Sequence, residues 1–297
     1  MSTRVRLFAV LLLAGLAIAP AANADDVGVA ASGTFVDPAT GAVLLDIASA
    51  TTKFVIGSGL VTKLADAEKG DLIVVHEDGT AVTAVDSITR HVSGWARLIA
   101  LGVALLGLLG AAAIATQGRP QRFMIGVDNR YSNSQCQLVL WFGVVAIVYA
   151  ATVALRIVVL GWDYVGGVDM PTNLIALTGL SAFSFGGAKV VTVAKVNAAA
   201  TQYPNVRAKP SAAAPRLMAD LVQNDNGQAD LGDFQMILVT LAAVVIFLVT
   251  AFHFLGALEL ATPTTILPDV DTGLLASFGI GQGAYLVKKA AGNLGDA

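Results

Sequence analysis

The chain has 297 residues, of which 56% are hydrophobic and 13% charged, with a formal net charge of -3. Soluble domains carry about 25% charged residues, so the polar residues here are too few to cover two globular surfaces, and the weak net charge excludes the basic footprint of a nucleic-acid binder. The single cysteine, Cys136, excludes an intramolecular disulfide framework and any multi-cysteine metal site.

Residues 1–24 have the three parts of an export signal. Arg4 and Arg6 form the positive start, residues 7–19 the apolar stretch, and Ala22-Asn23-Ala24 an A-x-A cleavage site. Cleaved as a signal peptide or kept as an anchor helix, this segment predicts that the next one is exported.

Residues 25–90 differ from everything after them. Short β-branched runs at 34–36, 42–47, 53–56, 72–75 and 81–85 alternate with turn residues, and Asp78-Gly79 is a hairpin signal. The segment predicts a small β-rich domain with a thin core.

From residue 91 onward the pattern is that of a membrane domain. Five spans are predicted at about 95–115, 137–161, 172–193, 235–257 and 272–288, each long enough at 1.5 Å per residue to cross a hydrocarbon core. An exported N-terminal domain puts Arg119, Arg122, Arg130, Lys189, Lys195, Arg207, Lys209, Arg216, Lys288 and Lys289 on the cytoplasmic side. The opposite loops hold Asp163, Asp169, Glu259, Asp269 and Asp271 and no Lys or Arg. This positive-inside asymmetry agrees with the export signal. The expected location is a bacterial inner membrane, with the C-terminus cytoplasmic.

Aligning Gln137 with Gln235 brings two helical hairpins into register. At a constant offset of one hundred residues Leu174, Ala176, Gly179 and Lys189 match Leu274, Ala276, Gly279 and Lys289. The ordered series of Gln, apolar run, acidic loop with proline, Gly and Lys reads as a tandem duplication. Both copies start on the cytoplasmic side, so the repeat is parallel, with an axis along the membrane normal.

The candidate positions follow from this repeat. Gln137 and Gln235 are read as helix-entrance caps or interhelical bonds worth about 1 kcal/mol, with pore-lining amides as the alternative. Gly179, Gly279 and Gly283 are expected to let helices approach closely. Ser181, with Thr152, Thr178 and Ser277, is a hydroxyl that a passive pore could use. Arg97, Arg156, His253 and Glu259 fall near the outer ends of their spans, where long side chains snorkel.

Chemistry-bearing constellations are sparse. His76-Glu77-Asp78 reads as a solvated turn rather than a metal site, and no H-E-x-x-H, G-x-S-x-G or Walker motif occurs. "GIGQG" follows no strand and is no nucleotide fingerprint. No cofactor is expected. Between the hairpins a proline-containing linker precedes a short amphipathic piece (Leu217, Leu221, Val222) and an acidic turn from Asp225 to Asp233, read as a solvated loop docking on the neighbouring hairpin rather than a calcium site.

The pattern D-N-R-Y-S-x-S-x-x-Q-L-x-L-W from Asp128 to Trp141, with D-L-G-x-F-Q-M from Asp230, resembles poorly characterised bacterial multi-span inner-membrane proteins with a tandem glutamine-led hairpin repeat. It departs at Cys136, where a bulky residue would be expected. The resemblance implies the two-hairpin architecture and no activity. The reading is therefore a mainly α polytopic membrane protein with a small exported β-rich domain. A non-enzymatic scaffold or accessory protein is expected, in a lipid bilayer, with a protein partner or further copies of itself. An oligomeric channel or passive transporter is the alternative.

Overall fold

The computed structural model describes residues 27–30, 36–37, 42–47, 50–56, 58–61, 64, 66–68, 70–78, 81–126, 129–201, 213–223 and 230–291. The predicted signal peptide and most of the proline-containing linker lie outside these residues. The chain divides into two compact units, residues 1–89 and 90–297.

In the first unit β1 (Val27–Ala30), β2 (Val36–Asp37), β3 (Ala42–Ile47), β4 (Ala50–Ile56), β5 (Leu72–Asp78) and β6 (Ala81–His91) are ordered β1-β5-β6-β4-β3-β2. A one-turn helix, α1 (Ser58–Val61), follows β4. β5 and β6 form a hairpin whose last pair is Asp78 and Ala81. His76-Glu77-Asp78 is therefore the end of a strand and not the turn itself.

The pairing slips twice, between Val74 and Val75 and between His76 and Glu77. Each slip inserts one extra residue on β6, Asp86 and then Thr83. The buried positions of β6 are consequently spaced by three, at Val82, Val85 and Ile88, while those of β5 keep the ordinary spacing of two at Ile73 and Val75. Leu64 completes this small core, and buried Asp71 accepts the Glu68 N–H at 2.8 Å in the turn ahead of β5.

The second unit holds α2 (Gly94–Ala115), α3 (Asn133–Leu160), α4 (Thr172–Thr201), α5 (Leu217–Val222), α6 (Leu231–Phe254) and α7 (Thr272–Ala291). Among the described residues four helices are long and apolar enough to cross a membrane: α2, α3, residues 172–191 of α4, and α6. The expected fifth span forms a helix, α7, but is not one of the four. Gln282, four glycines and the Lys288-Lys289 pair dilute its apolar content.

α2 is apolar apart from Arg97 in its first turn and shows Leu98, Ile99, Val103, Leu106 and Ile114 at half exposure or more. Exposed to water, that surface would cost about 25 cal/mol per Å², so its natural surroundings are lipid. Ser93 starts the helix, its hydroxyl accepting the Ala96 N–H at 3.3 Å.

α3 and α6 each bury one stripe at helical spacing. On α3 it runs through Trp141, Val144, Val145, Val148, Ala151, Thr152 and Leu155, and on α6 through Met236, Thr240, Ala243, Val244, Phe247 and Ala251. α6 begins four residues ahead of the expected span because Asp230 caps it, accepting from Gly232 and Asp233 N–H at 2.9 and 3.2 Å.

α3 packs on α4 and α6, and α7 packs on α4 and α6. The helices that the expected repeat would match are thus neighbours, α3 beside α6 and α4 beside α7, so the two hairpins lie side by side. An axis along the membrane normal would instead set counterparts across a centre from one another. At one end, the two-residue strands β7 (Val168–Asp169) and β9 (Thr265–Ile266) pair in parallel. A further short strand, β8 (Ala257–Glu259), follows α6.

Candidate functional site

The bundle has two polar ends around an aromatic middle. In the middle Trp141 is fully buried, with ring centroids 5.6 Å from Phe247 and 6.4 Å from Phe278. Its indole N–H donates to the Thr178 hydroxyl at 3.1 Å. One side chain therefore touches or bonds residues of α4, α6 and α7.

At the end where α3 and α4 are joined, arginines are held by backbone carbonyls. Arg156 is 1% exposed and donates from Nε to the Tyr164 carbonyl at 2.9 Å and from Nη2 to the Pro263 carbonyl. Tyr164 closes the arrangement by donating its hydroxyl to the Leu260 carbonyl at 3.0 Å. The snorkelling expected of Arg156 is overturned, because the side chain turns inward to tie the α3–α4 loop to the α6–α7 loop. Arg97 lies 4.6 Å from the Phe252 ring centroid and donates to the Phe252 carbonyl at 3.0 Å, while Arg90 donates to the Val159 carbonyl at 3.1 Å. These carbonyls belong to the last turns of α6 and α3, which have no intrahelical donors left and favour cations.

The other end is where α3 and α6 begin. Gln137, Gln235, Met236, Val239, Phe278, Gly281 and Gln282 line a cavity of about 10 Å³, measured as the volume open to the centre of a water molecule. That is about the room one water needs. Gln137 and Gln282 are 1% and 3% exposed, and the Oε1 atom of each has no hydrogen-bond partner among the described residues. Leaving such an acceptor unmatched costs about 1–3 kcal/mol.

Of the residues singled out from sequence, Gln137 and Gln235 do meet at one cavity, but not as equivalents. Gln137 is buried and Gln235 exposed. Neither caps its helix, since Ser132 and Asp230 hold the cap positions. Ser181 is buried, yet its hydroxyl donates to the Leu177 carbonyl of its own helix at 3.0 Å. Thr152, Thr178, Thr240 and Ser277 likewise donate to the carbonyl four residues back. Hydroxyls satisfied in this way offer no donor to a permeating ligand.

The glycine expectations also need correcting. A methyl group at Gly179 or Gly283 would meet nothing within 4 Å, and one at Gly279 would meet Leu180 at an ordinary 3.7 Å. The close approach is at Gly187, where the nearest atom is Leu286 Cδ2 at 3.2 Å. These contacts, Leu180 with Gly279 and Gly187 with Leu286, set α4 and α7 in parallel register at an offset of 99 residues.

Two residues went unrecognised in the sequence, Gln282 and Ser184. Ser184 is fully buried with no partner for its hydroxyl among the described residues. The α4–α7 register puts it within two residues of the level of Gln282. The available signal at Gln282 was a lone amide within an apolar run, where polar side chains are rare enough to mark function or a partner, whereas Ser184 follows Thr178 and Ser181 on the same helix and does not stand out.

The turn ahead of α3 has a structural role. Asn129 sits at φ +54°, and Gly126 donates to the Arg130 carbonyl at 2.8 Å. This presents the Tyr131 N–H to Asp220 Oδ2 at 3.1 Å and Asn133 Nδ2 to the Leu221 carbonyl at 3.1 Å. Asp220 also accepts the Arg216 N–H at 2.8 Å. The amphipathic piece α5 is docked on the start of the first hairpin by these bonds.

Fold and composition together define a mainly helical, membrane-embedded protein with a small sheet. No protein-family model, no curated protein and no solved structure significantly matches the chain.

Proposed function

We propose that this chain is a non-enzymatic scaffold or accessory protein of a bacterial inner membrane, whose β-rich unit is exported and engages a partner protein. The observation that carries this over a pore through one chain is the filled middle of the bundle. Trp141, Phe247 and Phe278 occupy it together with Leu174, Leu177, Val270 and Leu267. A conducting path needs continuous polar lining, and the hydroxyls of Thr152, Thr178, Ser181, Thr240 and Ser277 are bonded to their own backbones.

The rest of the reading has separate support. Acidic loops at 161–171 and 255–271 contain no Lys or Arg, which favours placing them outside. α7 packs on both α4 and α6 and buries Phe278, which favours counting it as a fifth span despite its composition. The recurring order of helix, two-residue strand and helix, with β7 and β9 paired in parallel, favours a tandem duplication. It also keeps the resemblance to poorly characterised multi-span proteins with such a repeat.

Native mass spectrometry of the protein, extracted gently from its own membrane, tests the proposal. The expected result is a stoichiometric foreign subunit that is lost when residues 25–90 are deleted. A closed homo-oligomer that conducts ions in liposomes would replace the scaffold with the channel reading.

A further inference from the structure

We infer that the cavity between α3, α6 and α7 is a binding site for a single water molecule that bridges Gln137 and Gln282. Three observations carry this. The cavity has about 10 Å³ open to a water centre, which is the room one water needs. Gln137 and Gln282, 1% and 3% exposed, both line it, and each has an Oε1 atom with no partner among the described residues. The lining has no carboxylate and no cationic side chain, so nothing compensates a charged occupant.

The match is one of valence. Two orphaned acceptors require two donors, and water has two O–H groups to give. Its oxygen remains free to accept from an amide N–H of the same side chains, the two to four partners that a buried water takes. Gln235, exposed at the rim, is the neighbouring polar group through which the water exchanges. The bridge joins α3 of the first hairpin to α7 of the second, a pair that make no extensive direct contact. It thus adds a polar tie across the bundle diagonal, beside the aromatic contact of Trp141 with Phe278. This inference is independent of the scaffold reading.

A double-substitution cycle on the full chain in detergent tests it, with Gln137→Leu, Gln282→Leu and the pair, reading the thermal unfolding midpoint. With a bridging water, each single change strands the other amide, so each lowers the midpoint. The pair, with no acceptor left to satisfy, recovers to at least the wild-type value. Additive effects overturn the inference: two independent increases would mean that both acceptors were unmatched from the start, and two independent decreases that the amides act separately.

If a single variant does not fold, the wild-type protein labelled with ¹⁵N-glutamine and reconstituted in lipid supplies the second readout. Magnetisation transfer from water to the Gln137 and Gln282 side-chain amides is expected. Its absence, with transfer to exposed Gln235 as the positive control, overturns the site. Titrating ammonium chloride against matched potassium chloride separates water from a charged donor. An unchanged midpoint is expected, and a saturable ammonium-specific rise overturns water as the occupant.

Discussion

Trp141 donates its indole N–H to the Thr178 hydroxyl at 3.1 Å, and that hydroxyl in turn donates a hydrogen bond to the Leu174 carbonyl at 2.8 Å. The bond crosses from α3 to α4 and fixes how the largest fully buried side chain of the bundle is turned toward Phe247 and Phe278. Thr178→Val keeps the volume and removes the acceptor. It is expected to lower unfolding stability by about 1–3 kcal/mol, the cost of an unmatched buried donor. Thr178→Ser should lose well under half of that. Thermal unfolding of both variants in the same detergent checks the difference.

Arg156 holds two loops through carbonyls of Tyr164 and Pro263. Hydrogen bonds from a charged donor are worth about 1.5–3 kcal/mol each, so Arg156→Met is expected to cost about 3 kcal/mol or more. Arg156→Lys, a point charge without the planar fork, should recover only part. Limited proteolysis is the direct measure, with new cleavage expected in residues 161–171 and 257–271. Unchanged cleavage would mean that the loops are held by something other than this arginine.

Gly167 tests the paired strands β7 and β9. Its φ is +68°, and a Cβ there would lie 2.8 Å from the Pro263 carbonyl oxygen. Backbone cannot step aside as a flexible side chain would. Gly167→Ala is expected to destabilise by about 1–3 kcal/mol, whereas Gly166→Ala, with open space around it, should stay within about 0.5 kcal/mol. Equal unfolding midpoints for the two variants would contradict the loop geometry.

The helix glycines separate packing from propensity. Gly179→Ala and Gly283→Ala meet no neighbour, so removing the backbone freedom of glycine should leave stability unchanged or raise it by up to about 1 kcal/mol. Gly187→Ala must displace Leu286 by a few tenths of an ångström and should be the least favourable of the three. A loss at Gly179 or Gly283 would restore the close-packing role read from their spacing.

Asp220 accepts the backbone N–H of Tyr131 and of Arg216. Asp220→Ala should therefore speed hydrogen exchange at the Tyr131 amide by at least about tenfold, as a bond worth about 1.5 kcal/mol or more is lost. Amides within α6 serve as the unchanged reference.

Much of the architecture is a matter of local or additive quantities, and these are readable along one chain. Span length and apolar run located α2, α3, α4 and α6, and a two-residue hairpin signal located β5 and β6. The start of α6 is missed, because Asp230 reads in sequence as part of an acidic turn when it is the cap ahead of the apolar run. Bulges at Thr83 and Asp86 were out of reach, since they depend on how β6 slips against β5 and leave no period of two to find.

What packing decided was which polar groups meet. Gln137 and Gln235 look equivalent in sequence, yet one is buried and the other exposed, because α7 lays Gln282 and Phe278 over the first and leaves the second at the rim. Arg156 resembles a residue that reaches for the interface until the two loops supply carbonyls for it inside. Gly179 and Gly283 have the spacing of a close contact, but spacing on one helix says nothing about where the neighbour lies. Each is settled by residues distant in the sequence, such as Pro263 for Arg156 and Gln282 for Gln137, where burial and hydrogen bonding are joint properties of two segments and neither segment alone contains the answer.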